Sequence, residues 1–288
     1  MKYLITRSSV FDMACVAMIQ GAMTGLGQLD RNPQFAAIVR PYNNADNPIC
    51  PTFIDPDDID EAFNWAEVVL DIGGRCKDTD LARMEYIKRS KKKDIPYIYM
   101  AQSFFNPDMD LVKDMPVVAR GYHAACEIRK ATGAWPSRIG ADLSFLIEPV
   151  PWHGPKYRKG YTTYSARPWR NMSIFKEDAP VQIILKPERA KVYEPILEMP
   201  GFHGSPAETF GLIETLEEVH TARYHTGVGA VMCKKPVRFY VDINIPKYDD
   251  LMSFNHLTRQ KLKDLAMLSC EFVIDVIKGW NNGIRSGF

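Results

Sequence analysis

The chain has 288 residues, 46% of them hydrophobic and 25% charged, the make-up of an ordinary globular protein. That excludes a disordered chain, a collagen-like chain and a disulfide-dense miniprotein. Lys plus Arg number 36 and Asp plus Glu 35, a formal charge of +1, which excludes a uniformly basic nucleic-acid coat and leaves room for a local basic patch.

Residues 2–6 predict a first strand, with a turn at Arg7-Ser8-Ser9. Its apolar run is too short for the core of a secretory signal. No stretch approaches the roughly 18 apolar residues of a membrane span. Val10, Met13, Ala14, Ala17, Met18, Gly21 and Ala22 form one stripe, predicting a helix over 10–24. Residues 35–39 predict a second strand, and 57–66 a short acidic helix opened near Asp55-Pro56. Val68-Val69-Leu70-Asp71-Ile72 is an apolar strand that stops at Gly73-Gly74. A helix over 81–92, strands at 97–101 and 117–119, a helix over 121–131 and a strand at 139–141 complete the first half.

Residues 149–170 hold Pro149, Pro151, Gly154, Pro155, Gly160 and Pro168, a composition shift that reads as a domain junction. Strands follow at 161–166 and 181–186. Ser205-Pro206 places a cap and then a proline at the first helical position. A strand at 219–222, a helix over 224–234, a strand at 237–241 and an amphipathic helix over 258–279 end the chain. The last carries Leu262, Leu265, Leu268, Phe272 and Val276 on one stripe. The β-α-β-α-β order predicts doubly wound parallel sheets. The expected domains are 1–150, an N-terminal Rossmann-like acceptor-side unit, and 151–288, a C-terminal Rossmann-like donor-side unit. Ligands of such sheets bind beyond the strands' carboxyl ends. Ser8, Ser9, Gly73, Gly74, Arg75, Gln102, Ser103, Arg120, Arg167 and Arg223 all fall there. Cys15, Cys50, Cys76, Cys126, Cys233 and Cys270 contain no C-x-x-C pair and read as free thiols of a reducing compartment. The expected setting is cytoplasmic, the host cytoplasm if the source is viral.

Three constellations carry chemistry. Asp71-Ile72-Gly73-Gly74-Arg75 follows a strand; its glycines suit either a tight turn or a backbone nest for an anion. It is neither a Walker loop nor G-x-G-x-x-G. His220-Thr221-Ala222-Arg223-Tyr224-His225 sits where a strand becomes a helix, a seat for phosphate or carboxylate unless Arg223 and His225 are structural. Residues 152–170 interleave Lys156, Arg158, Lys159, Arg167 and Arg170 with Trp152, Tyr157, Tyr161, Tyr164 and Trp169, without an acid. That pattern suits a nucleic acid or nucleotide, or a strand with one aromatic face buried. The D-x-D pairs at Asp55/Asp57, Asp58/Asp60, Asp78/Asp80 and Asp108/Asp110 are too many for any one to mark a metal, so no divalent cation is required. No zinc motif or G-x-S-x-G nucleophile turn occurs.

Several of these segments together resemble the polysaccharide pyruvyl transferase family. They are Asp71-Ile72-Gly73-Gly74, residues 96–104, Val118-Ala119-Arg120, residues 140–146, Tyr164-Ser165-Ala166-Arg167, residues 221–225 and Lys235-Pro236-Val237, in that order. The resemblance spans about residues 65–241. It implies a GT-B-like α/β fold with two Rossmann-like domains facing across a cleft, the C-terminal helix packing back. It also implies transfer of pyruvate from phosphoenolpyruvate onto a sugar as a ketal. The family's anion-binding Arg falls on Arg120, and its Arg-x-His element on Arg223 and His225. The chain departs from the family at Phe104-Phe105-Asn106-Pro107, where Gly-Pro is usual, and in its first loop, which keeps only Asp12.

The same plan belongs to nucleotide-sugar glycosyltransferases, including phage enzymes that glucosylate or arabinosylate hydroxymethylated cytosines in DNA. The chain resembles these in plan. The expected function is therefore glycosyl transfer from a nucleotide-sugar to a glycan or DNA hydroxyl, with pyruvyl transfer from phosphoenolpyruvate as the alternative. The expected catalytic residues are Asp12 and His225. Gly73, Gly74, Arg75, Arg120, Arg167, Arg223 and His225 are the donor-site candidates. Ser8, Ser9, Lys156, Arg158, Trp169 and Arg170 are the acceptor-site candidates. No tightly bound cofactor or metal is expected.

Overall fold

The computed structural model describes residues 1–6, 13–39, 50–55, 57–72, 75–76, 81–104, 107, 109–154, 157, 159–162, 181–183, 201–202, 205–221, 223–239 and 246–285. The first half carries β1 (Lys2–Thr6), α1 (Met13–Leu29), β2 (Gln34–Val39), β3 (Thr52–Ile54), α2 (Ile59–Trp65), β4 (Val68–Ile72), β5 (Arg75–Cys76), α3 (Leu81–Lys92), β6 (Tyr97–Phe104), α4 (Met109–Val112), β7 (Val117–Ala119), α5 (Tyr122–Thr132) and β8 (Arg138–Ile139), then a 3-10 turn at Leu143–Leu146. Seven strands pair in the order β3-β2-β1-β4-β6-β7-β8, and β5 adds to the end of β6. Every pairing is parallel; Tyr3 faces Val68 and Val69 faces Tyr97. Helices cover the faces, so β6 is buried at all eight positions, and its first five residues read as a continuous apolar run. The strand order reverses between β1 and β4, the kind of place beyond whose carboxyl ends such sheets bind ligands.

The second half repeats this plan with β9 (Lys159–Thr162), β10 (Val181–Ile183), β11 (Gly201–Phe202), α6 (Pro206–Thr215), β12 (Glu218–Thr221), α7 (Tyr224–Met232) and β13 (Val237–Phe239). The parallel order is β11-β10-β9-β12-β13, reversing between β9 and β12. The Ser205-Pro206 start is realised as a full capping box: Ser205 Oγ accepts from Glu208 N, and Glu208 Oε2 from Ser205 N.

The chain then returns to the first half through α8 (Pro246–Ser253) and α9 (Arg259–Asn281), the latter capped by Thr258. As expected, α9 packs back, against α1, the 143–146 turn and β8. One hydrophobic core runs through both halves, joining Leu26, Met100 and Phe145 to Leu212, Val228 and Val276.

The helix predicted over 10–24 extends to Leu29, because Gly25 lets α9 approach: a Cβ there would lie 2.4 Å from Cys270 Sγ. The strand predicted at 97–101 runs on to Phe104. Strands β3, β5 and β11 and helices α4 and α8 are too short for a readable period or begin at a proline. Cys50, Cys126, Cys233 and Cys270 are free thiols, and burial pushes Cys50 up to about 11 and Cys233 and Cys270 up to about 12. Cys15 lies where only the helical backbone is described, and Cys76 likewise in β5. Among the described residues no helix is long and apolar enough to cross a membrane.

Gly21 brings α1 against the 143–146 turn, where a Cβ would meet the Leu143 carbonyl oxygen at 2.0 Å; Gly27 on the same helix faces open space. Gly21→Ala is therefore expected to lose about 1–3 kcal/mol despite alanine's better helix propensity. Gly27→Ala is expected to gain up to about 1 kcal/mol. Urea denaturation of the two variants checks the contrast.

Candidate functional site

The site builds from the carboxyl ends of β6, β7 and β12. In β6, Ala101 takes a left-handed φ of 54°, and the register with β7 shifts between Tyr99 and Gln102. This is a bulge, a device that re-aims side chains. Gln102 then donates to the Asp71 side chain (2.5 Å) and the Asp71 carbonyl (2.9 Å). Asp71, fully buried, also accepts from Arg83 Nε (2.6 Å) and the Tyr97 hydroxyl (2.7 Å). Burial, and next the Asp71 charge, push the Tyr97 hydroxyl well up. This cluster fixes the carboxyl end of β4, so Asp71 is a buried anchor.

The adjacent residue, Ser103, meets the second cluster. Its Oγ accepts from Arg120 Nε (3.0 Å) and Nη2 (2.5 Å). Arg120 Nη1 donates to Asp142 Oδ2 at 3.0 Å, and the guanidinium lies 4.4 Å over the Tyr224 ring. Asp142 Oδ1 accepts from Ser144 N (2.9 Å), which starts the 3-10 turn. Across the interface His225 Nε2 stands 3.4 Å from Asp142 Oδ2. Burial works against a charged Asp142, but His225 beside it, then Arg120 and the Ser144 N–H, outweigh it and hold the carboxyl well below the usual range.

Helix α7 supplies the other wall. Thr221 Oγ1 accepts from Arg223 N at 2.7 Å, fixing the turn out of β12. Arg223 is the N-cap residue and half-buried, and its side chain makes no capping bond. The first N–H groups of α7 thus point out of the carboxyl end of β12, the anion-favouring pole of the helix. Tyr224 is buried between Arg120, His225 and Tyr248. Lys247 Nζ stands 5.3 Å from its ring. From α8, Asp250 accepts from His123 N (2.9 Å) and Ala124 N (3.4 Å), capping α5 across the halves. Gly121 makes room for it, at a φ of 135°. Burial raises the Asp250 carboxyl.

The structure brings Arg120 and His225 together on Asp142, with Arg120 buried, and Arg223 half-buried at the N-cap of the helix that carries His225. Backbone alone is described at Arg75, within β5. Ser8, Ser9, Asp12, Gly73, Gly74, Lys156, Arg158, Arg167, Trp169 and Arg170 lie outside the described residues. Two of the D-x-D pairs are structural in part. Asp55 accepts from the Tyr86 hydroxyl, Asp58 from Ile54 N, and Asp60 pairs with Arg89. Among the described residues no group of three His, Cys, Asp or Glu side chains could hold a metal. Sequence reasoning assigned no role to Asp142 or Asp250. Asp142-Leu143-Ser144 carries a helix-start signal, an Asp two residues before the N–H it caps; nothing local marks Asp250.

No family model and no curated protein matches the chain by sequence. Solved structures do match in shape. UDP-N-acetylglucosamine 2-epimerase from Rickettsia bellii superposes with a TM-score of 0.59 at 9% identity, covering 99% of this chain and 98% of its own. The S. aureus MnaA–UDP co-structure gives 0.57 at 13%, covering 98% and 97%. Medicago truncatula UGT71G1 complexed with UDP-glucose gives 0.54 at 8%, covering 96% and 98%. The chain has a GT-B-like fold. The two-sheet architecture expected from the ordered motifs stands on this likeness and on the strand orders.

Asp142 has a lower pKa folded than unfolded, so its contribution to stability is present above about pH 4 and is lost as pH falls through the native value. Arg120→Met removes one of the charges that depress it. The acid-unfolding midpoint is expected to move to higher pH, with about 3–5 kcal/mol lost at neutral pH. Circular dichroism across an acid titration, together with urea denaturation at pH 7, checks both.

Proposed function

We propose that this GT-B-like chain is a glycosyltransferase that moves a sugar from a nucleotide-sugar donor to a hydroxyl acceptor. One observation carries the reading: Arg223 and His225 both lie at the N-terminus of α7, at the carboxyl end of β12, and His225 faces the Arg120–Asp142 pair of the first half. The fold likeness supports it, since neighbours of this shape were solved with UDP or UDP-glucose. In this reading residues 151–288 hold the donor and 1–150 present the acceptor. Negative charge develops on the departing diphosphate, where a guanidinium and oriented N–H groups stabilise it most. Arg223 and Arg167 are the candidate cations, Gly73, Gly74 and Arg75 further candidate donor contacts, and Asp12 and His225 the candidates for taking the acceptor's proton.

The acceptor is proposed to be a glycan or a hydroxymethylated cytosine in DNA. Ser8, Ser9, Lys156, Arg158, Trp169 and Arg170 are its candidate contacts, with the base of a DNA acceptor flipped out of the stack. Pyruvyl transfer is the second reading. It is favoured by the convergence of Ser103, Arg120, Arg223 and His225, all from segments that carry the family resemblance. Of these, Arg223 and His225 suit the phosphate or carboxylate of phosphoenolpyruvate, with Arg120 and Ser103 behind them already bonded to each other.

Thermal-shift titration with UDP-sugars, other nucleotide-sugars and phosphoenolpyruvate separates the two readings. Stabilisation by a nucleotide-sugar is expected; stabilisation by phosphoenolpyruvate alone transfers the case to the second. Mass spectrometry of acceptors then reads an added pentose, hexose or pyruvyl group, and a donor epimerised without transfer marks an epimerase. Arg223→Ala is expected to lower turnover by about a hundredfold or more, and unaltered turnover would remove the phosphate seat. For a DNA acceptor, gel-shift affinity should fall steeply between low and moderate salt. Absence of binding at low salt leaves the glycan.

A further inference from the structure

Asp142 is the point where the two halves exchange charge. It is fully buried, and both oxygens are in use: Oδ1 on Ser144 N at 2.9 Å, Oδ2 on Arg120 Nη1 at 3.0 Å and near His225 Nε2 at 3.4 Å. His225 turns that nitrogen inward, where it is inaccessible and closes no hydrogen bond of normal geometry, with Asp142 Oδ2 at 3.4 Å the acceptor placed beside it; the side chain as a whole keeps 15% exposure. Tyr224 holds the imidazole edge-on at 5.2 Å and 84°, and its own face is covered by Arg120. A carboxylate has no proton to give at neutral pH, so the nitrogen that faces it must carry one. The other nitrogen, Nδ1, is the one left for a ligand.

We propose that Asp142 is a positioning residue for His225: by accepting from Nε2–H it fixes one imidazole tautomer and makes Nδ1 the reactive nitrogen. The tautomer stands on the geometry alone; its use in turnover rests on the glycosyl-transfer reading above. There, Nδ1 takes the proton of the acceptor hydroxyl while that oxygen forms a bond to the sugar's anomeric carbon. The bond from that carbon to the nucleoside diphosphate breaks, and its electron pair leaves on the phosphate oxygen. The imidazolium so formed lies against Asp142, which stays ionised.

The test begins with the unmodified chain. Histidine-selective 15N labelling and long-range 1H–15N correlation, assigned with His225→Gln, report the tautomer directly. Nε2–H for the neutral ring is expected, and Nδ1–H overturns the proposal. Asp142→Asn, compared at matched fraction folded, should shift the tautomer balance and lower kcat by about a hundredfold or more with little change in donor KM. A loss confined to melting temperature, with the tautomer and kcat of the folded fraction retained, also overturns it. If no donor is turned over by the unmodified chain, the functional reading fails while the tautomer result still decides the geometry.

Discussion

A carboxylate that water cannot reach must be neutralised where it stands, or it gives up its charge. Asp142 meets that condition by drawing one partner from each of three segments: Arg120 at the end of β7, Ser144 at the head of the 3-10 turn, and His225 in α7. The first two belong to the first half and the third to the second. Moving α7 away would leave a buried Arg–Asp pair with a gap on one side. Moving Arg120 would leave Asp142 and His225 without their fixed cation. The site's shape is thus tied to the electrostatics of a single side chain.

The second half returns the constraint through Asp250. The N-terminus of α5 follows Gly121, which has no side chain to cap it, and its first N–H groups would be stranded beneath α8. Asp250 accepts from His123 N and Ala124 N in their place. One carboxylate therefore reaches from the first half into α7, and another from α8 back to α5. These directional contacts act on top of a shared apolar core, which resists separation without choosing a register between the halves. Tyr224 lies between them, stacked on Arg120 and edge-on to Tyr248, and couples the two tethers by packing.

The elements best read from sequence are those whose burial repeats a simple pattern. β1, β4, α3 and β7 carry the bounds expected, because buried parallel strands are short apolar runs and α3 ends in a cluster of lysines. The Ser205 cap with Pro206 at the first helical position is equally plain, while the reciprocal bond from Glu208 shows only in the structure. What escaped has no local pattern. The bulge at Ala101 arises from fitting β6 against β7, and no glycine advertises it. Asp250 is one acid in Tyr-Asp-Asp, and only the fold brings it to α5. Among the site residues, Arg120, Arg223 and His225 were legible as charge at strand ends. Their hierarchy was not, because Arg120 and Arg223 look alike until one is seen to be buried.

That hierarchy bears on what each cation can do. Arg120 has Nε and Nη2 on Ser103, Nη1 on Asp142 and its face on Tyr224, and it is 3% exposed. An anion reaching it would have to displace Ser103 or Asp142 and would gain one charge at the cost of a buried, charge-assisted network. Arg223 is half-buried at the N-cap of α7, on the helix end whose N–H groups already favour negative charge. The two arginines therefore divide the work by depth. The inner one pins Asp142 in place, and the outer one is the cation that the glycosyl-transfer proposal assigns to the leaving phosphate. The near-neutral total of the chain conceals this arrangement, because the charges that build the site are cancelled in pairs beneath the surface.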